Sequence, residues 1–94
     1  MSNGQHKWTK EDDIVAYYLY RAGADSFVLG TKEISRALGM TESSLKMRIA
    51  NFMAIDTGHG LKNAAIASKE LYDAYKDIPI EDHKEEFIKI VTET

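Results

Sequence analysis

The run Ile14–Val15–Ala16–Tyr17–Tyr18–Leu19–Tyr20 is apolar nearly all round if it is wound as a helix. An amphipathic surface helix hides one stripe, whereas a helix apolar on every side must be enclosed by neighbours or meet a partner. The chain must therefore supply elements that wrap this segment, or leave part of it as an interface. With 94 residues it has length for one domain and one modest core. Apolar residues make up 44% and charged residues 29%, which suits a globular chain rather than a disordered one.

Helix signals recur along the chain. Thr9 reads as an N-cap with Asp12 three residues on, a capping-box spacing, and the acids Glu11, Asp12 and Asp13 suit the positive end of a helix dipole. This predicts a first helix over about 10–22, ended by Gly23 in a left-handed conformation, with Trp8 packing back as a core anchor. Ala24–Gly30 reads as a connection in which Phe27, Val28 and Leu29 enter the core. Thr31 is the expected cap of a short helix, 32–38, with Ile34, Ala37 and Leu38 inward, broken by Gly39. Thr41 caps a third, 42–53, where Met40 and Leu45 make a hydrophobic staple and Leu45, Ile49, Phe52 and Met53 form the inward stripe. Asp56–Asn63 reads as a loop. Ser68 is the expected cap of a fourth helix running to about Asp77, with Leu71, Tyr72 and Tyr75 inward. Pro79 separates it from a fifth, 81–92, with the stripe Phe87, Ile88 and Val91. No segment reads as a strand. The expected fold is all-α: a tri-helical helix–turn–helix core with one or two additional C-terminal helices. The expected organisation is a flexible start at 1–7, a helix–turn–helix domain at 8–77 and an acidic helix at 78–94.

The net charge of −3 hides an uneven distribution. Residues 1–69 sum to +2 and residues 70–94 to −5, and within the first part residues 31–69 sum to +3. A mildly basic middle suits a polyanion and an acidic tail suits some other partner, although ordinary solvated surface would give the same counts. The absence of Cys rules out a disulfide framework and thiolate metal sites. Nothing resembles a signal peptide or a membrane span, so the expectation is a cytoplasmic protein with no membrane partner. His6, His59 and His83 are far apart, lack partners at metal spacing and read as surface residues, so no metal is expected. The acids read as helix-start or solvated residues. Ser43–Ser44 has no base placed beside it, and there is no phosphate-binding glycine loop. The chain reads as a non-enzyme with no cofactor.

Two helices joined by Gly39–Met40–Thr41 have the helix–turn–helix layout, in which the second helix enters the major groove of DNA. On helix 42–53 the face opposite the expected core carries Ser43, Met47, Ala50 and Asn51, with Lys46 and Arg48 on opposite flanks. The cations would meet the two phosphate walls while Ser43, Met47 and Asn51 reach base edges. Ser44, Lys32, Arg36 and Lys62 complete the candidate DNA-binding set. Asn51 serves equally well as a base reader or as an anchor for the following loop. The loop around Gly58–His59–Gly60 with Lys62 and Asn63 serves either as structure or as a phosphate contact. Tyr17, Tyr18, Tyr20, Phe87 and Val91 are the candidate interface for a protein partner or a two-fold homodimer.

The stretch Trp8–Thr9–Lys10–Glu11–Asp12–Asp13 resembles the W-T-x-E-E/D opening of Myb/SANT-like domains, and Ile34–Thr41 resembles their I-A-x-x-L-G-R-T stretch. In that resemblance Lys46 and Met47 fall where the family reads bases. The chain departs from it in keeping a single tryptophan, with Thr31 and Ile49 near the other tryptophan positions, Met47 for a more polar reader and Ala50 where Asn is frequent. A closer likeness is to the N-terminal helical module that precedes HNH nuclease domains in restriction-type proteins. It is carried by Leu38–Asp56, by Gly60–Leu61–Lys62–Asn63–Ala64 and by Leu71–Tyr75, and it covers about residues 8–75. The resemblance implies a non-catalytic double-stranded DNA-binding module, a small regulator or part of a restriction or phage system. The nuclease's own His–Asn–His cluster is not in the sequence. The rival expectation is a SANT-like protein-binding module, or an inhibitor presenting acids to the basic cleft of a DNA-binding enzyme.

Overall fold

The structure, a computed structural model, describes residues 8–23, 30–58 and 66–93. These form five helices: α1 (Lys10–Ala22), α2 (Thr31–Leu38), α3 (Glu42–Thr57), α4 (Ile66–Tyr75) and α5 (Ile80–Glu93). There is no strand among the described residues. The expected loop residues Phe27, Val28 and Leu29, and the loop with His59, Lys62 and Asn63, lie outside the described residues.

Helix α1 is the axis of the fold. It begins with the expected capping box: Thr9 Oγ1 accepts from the Asp12 N–H at 3.2 Å, and the Thr9 N–H donates to Asp12 Oδ2 at 3.0 Å. Every residue from Asp12 to Leu19 is then buried. Helices α3, α4 and α5 all pack on it, and α2 packs on α3 and α5. Tyr17 stacks on Phe52 of α3 with ring centroids 5.0 Å apart, and Tyr18 on Phe87 of α5 at 4.5 Å. The enclosure of Ile14–Tyr20 is thus achieved within the chain. Tyr17, Tyr18, Phe87 and Val91, expected as an interface, are buried core residues, and only Tyr20 of that set is half-exposed. Phe87 and Val91 belong to the same core as α1, so the acidic last helix α5 contributes to that core.

Several boundaries differ from expectation for local reasons. Gly23 has φ 89° but ψ 135°, so α1 ends on positive-φ glycine without the left-handed turn. Gly30, not Thr31, occupies the N-cap of α2, and Thr31 Oγ1 instead donates to Glu42 Oε2 at 2.6 Å, tying α2 to α3. Helix α3 continues to Thr57, four residues beyond Met53, and stops at Gly58, which is left-handed with φ 73°. Met53, expected inward, is 51% exposed because the inward stripe follows Leu45, Ile49 and Phe52. Helix α4 starts at Ile66 and ends at Tyr75, so Ser68 is a buried interior residue and not its cap.

His83 is also placed against expectation: it is fully buried. Its Nε2 lies 2.8 Å from the Ile14 carbonyl and its Nδ1 3.2 Å from Arg21 Nη1. A carbonyl only accepts and a guanidinium only donates, so the ring is neutral with its proton on Nε2. Arg21 also donates to the carbonyls of Tyr75 (3.2 Å) and Ile78 (2.8 Å), and the imidazole sits among the rings of Tyr17, Tyr18 and Tyr75. This cluster binds α1 to α5 and to the link before it.

Burial, with the Arg21 charge acting in the same direction, holds the imidazole below its ordinary value of 6.5. The unfolded chain therefore takes up this proton at higher pH than the folded one. The stabilisation from neutral His83 is complete above about pH 6.5 and is lost as the pH falls through the folded value. The thermal midpoint is expected to drop between pH 7.5 and 5 in the native protein. In His83→Gln, part of that pH sensitivity is expected to disappear, as read by circular dichroism.

Candidate nucleic-acid interface

The turn between α2 and α3 is built by two residues with opposite roles. Gly39 takes the left-handed conformation (φ 77°, ψ 27°), and its N–H and that of Met40 donate to the Arg36 and Ser35 carbonyls. Thr41 then caps α3, its Oγ1 accepting from the Ser44 N–H at 3.1 Å. The expected staple residues flanking this cap, Met40 and Leu45, are both buried.

One side of α3 is anchored by the fully buried Leu45 and Phe52. The opposite side exposes Ser43, Lys46, Met47 (70% exposed) and Ala50. Ser44 and Asn51 are half-buried on one flank. Lys46 Nζ is 3.6 Å from Glu42 Oε2, an exposed i,i+4 pair of the kind that contributes little. The Thr31 hydroxyl, helped by Lys46 and Lys32, holds the Glu42 carboxyl below its usual range. Lys32 and Arg36 are exposed on α2. Lys62 lies outside the described residues.

Arg48 departs from the sequence expectation. It does not stand on a solvated flank: Nε donates to Asp13 Oδ1 at 2.6 Å and Nη2 to Asp13 Oδ2 at 3.0 Å. The side chains of Arg48 and Asp13 are 12% and 2% exposed. The guanidinium also lies over the Trp8 ring, 4.5 Å from its centroid, and Ser68 Oγ reaches Asp13 Oδ1 at 3.3 Å. A buried carboxylate without a partner would be costly, and this fork-to-fork pairing satisfies both oxygens. Asp12 and Asp13, read from sequence as helix-start acids, are therefore buried structural groups. The signal was available in the spacing: Arg48 follows Leu45 by three and precedes Phe52 by four, which places it beside the buried face.

At its far end α3 is fastened by Asp56, whose carboxylate accepts from the Tyr20 and Tyr72 hydroxyls at 2.7 Å each. These bonds hold Asp56 below the usual carboxylate range and push both tyrosines up to about 12. The pair fixes α3 against α1 and α4, and neither tyrosine was read for this role.

A groove of about 220 Å³ runs along one flank of α3, lined by Trp8, Ser44, Met47, Arg48 and Asn51. On the other side of Trp8 a second groove of about 380 Å³ lies between the start of α1 and α4, with Ala67, Leu71 and Ala74 in its wall. Among the described residues no group of acids and histidines could hold a metal ion, and no helix is long and apolar enough to cross a membrane. Comparison of the chain with family models, curated proteins and solved structures finds no match.

The two cations assigned to opposite flanks of α3 should respond differently to removal. Arg48→Ala leaves Asp13 buried and unpaired and is expected to cost about 3–5 kcal/mol of folding stability. Lys46→Ala, at an exposed pair, is expected to leave the midpoint of chemical denaturation close to that of the native protein. Urea titration followed by circular dichroism measures both.

Proposed function

We propose that the chain is a non-catalytic DNA-binding module of helix–turn–helix type that lays α3 in the major groove. The observation that carries this reading is the exposed face of α3. Ser43, Met47 and Ala50 form a narrow stripe without charge, opposite a firmly buried side and next to Lys46. Small side chains let a helix approach base edges closely, and a Met methyl can pack on a thymine methyl. The eight-residue α2 leads through the Gly39 turn into α3, and the exposed Lys32, Arg36 and Lys46 would contact phosphate. Arg48 adds no free charge to this set because its charge is matched by Asp13. The resemblance to Myb/SANT-like domains and to the helical module ahead of restriction-type HNH nucleases supports the same reading, as does the basic balance of residues 31–69.

The electrostatics predict a modest affinity. Residues 30–58 set Lys32, Arg36 and Lys46 against Glu33, Glu42 and Asp56 once Arg48 is paired, so few phosphates would be neutralised. Binding would be weak and would rely on α3 rather than on a broad basic surface. A second reading, a protein-binding module, draws on the exposure of Met47 (70%) and Met53 (51%) on α3, since exposed methionines suit adaptable apolar contacts.

Fluorescence anisotropy of a labelled random-sequence duplex at low and moderate salt tests the proposal. Binding is expected at low salt and should weaken steeply with added salt. Lys46→Ala is expected to weaken it further and to reduce the salt slope by about one. Absence of binding at low salt would overturn the DNA reading and leave the protein-binding one.

A further inference from the structure

The groove beside α3 brings together polar groups whose full hydrogen-bonding capacity no described residue uses. Arg48 spends Nε and Nη2 on Asp13, and among the described residues no acceptor meets Nη1. The Ser44 hydroxyl accepts from Thr41 Oγ1 at 3.0 Å, which leaves its own proton free to donate. The half-buried Asn51 amide has no hydrogen-bond partner among the described residues. All three line the same groove, with Trp8 and Met47 as apolar walls.

Position around the helix indicates what such a groove would meet. Counting about 100° per residue, Ser44 and Asn51 fall roughly a quarter turn from the Ser43–Met47–Ala50 stripe on one side, and Lys46 falls on the other. A helix whose stripe faces base edges presents its flanks to the sugar–phosphate walls. On the Lys46 flank, α2 adds Lys32. On the opposite flank, the Trp8 groove offers the Asp13-held Arg48 guanidinium with the Ser44 hydroxyl and the Asn51 amide.

We propose that this groove seats one backbone phosphate of a DNA strand. Arg48 Nη1, the Ser44 hydroxyl and the Asn51 amide donate to its oxygens, and the adjoining sugar rests on Trp8 and Met47. The inference rests on the DNA reading of α3 and names the second strand contact that reading requires. Arg48 then has two duties, since the Asp13 fork and the Trp8 ring hold the guanidinium while Nη1, which no described acceptor meets, is left to donate. An immobilised donor gives up less freedom on binding than a surface lysine does.

Trp8 is the only tryptophan, so its emission reports directly on the groove. The full chain is titrated with a short duplex, following label anisotropy and Trp8 fluorescence together, for the native protein, Asn51→Asp and Asn51→Ala. The expected result is a change in Trp8 emission that tracks binding. Asn51→Asp should lose about tenfold or more in affinity, because a carboxylate there repels phosphate, and Asn51→Ala should lose less. Far-UV circular dichroism should be unchanged in both. Inorganic phosphate at equal ionic strength separates a free-ion site from a strand contact: it should shift Trp8 emission only far above the DNA concentration, and equal potency would overturn the strand assignment. Replacing single phosphates by methylphosphonate should reveal a position that matters for the native protein but not for Asn51→Ala; finding none would overturn the phosphate assignment. If the duplex binds while Trp8 stays silent and Asn51→Asp binds normally, the groove is not the site and the DNA reading stands. If no duplex binds, the DNA reading and the groove fall together. Should Asn51→Asp prove unfolded, Ser44→Ala combined with Asn51→Ala decides between the same outcomes.

Discussion

Helix α1 is wrapped by three others, so the polar groups it turns inward must find partners within the protein. Two anchors follow from that constraint. Near the start of α1, Asp13 is met by Arg48 from α3 and Ser68 from α4. Near its end, Arg21 reaches the carbonyls of Tyr75 and Ile78 and the ring of His83, while His83 donates to the Ile14 carbonyl. Apolar burial supplies the drive to enclose α1, and these directional bonds specify how its neighbours are seated. No buried side-chain nitrogen or oxygen is left without a partner among the described residues.

The same arrangement positions the candidate interface. Asp13 holds α3 by Arg48 on one flank, and Tyr20 and Tyr72 hold it by Asp56 at its C-terminal end. A helix fixed at two points presents its outer face as a rigid surface. That rigidity suits groove recognition, where a small error in helix placement displaces every contact along it. It also changes the meaning of the cations: Lys46 remains a solvated, weakly held charge, whereas Arg48 is buried against Asp13 and is structural first.

Much of the fold was legible because its signals are local. The Thr9–Asp12 capping box, the Thr41 cap and the helix break at Gly39 each depend on a few adjacent residues, and the structure has them where spacing predicts. The errors arose where a residue's partner is distant in sequence. Ser68 looked like a cap because Ser caps helices, but it is drawn inside by Asp13, 55 residues away. His83 looked like a surface histidine, yet its partners sit on a helix 62 and 69 residues earlier. Tyr17, Tyr18, Phe87 and Val91 suggested an interface only while the elements that cover one another were unknown.

The sequence by itself determined five helices, the placement of most of their ends and the exposure of Ser43, Met47 and Ala50 on α3, because helical periodicity and capping chemistry act over a few residues. It did not determine the half-buried place of Asn51, which periodicity put on the same face. Tertiary structure alone decided which charges remain available. Arg48 and Lys46 are two residues apart on one helix, and nothing local distinguishes a paired guanidinium from a solvated ammonium. The difference comes from Asp13, 35 residues earlier, which only the packing of α1 against α3 brings within 2.6 Å.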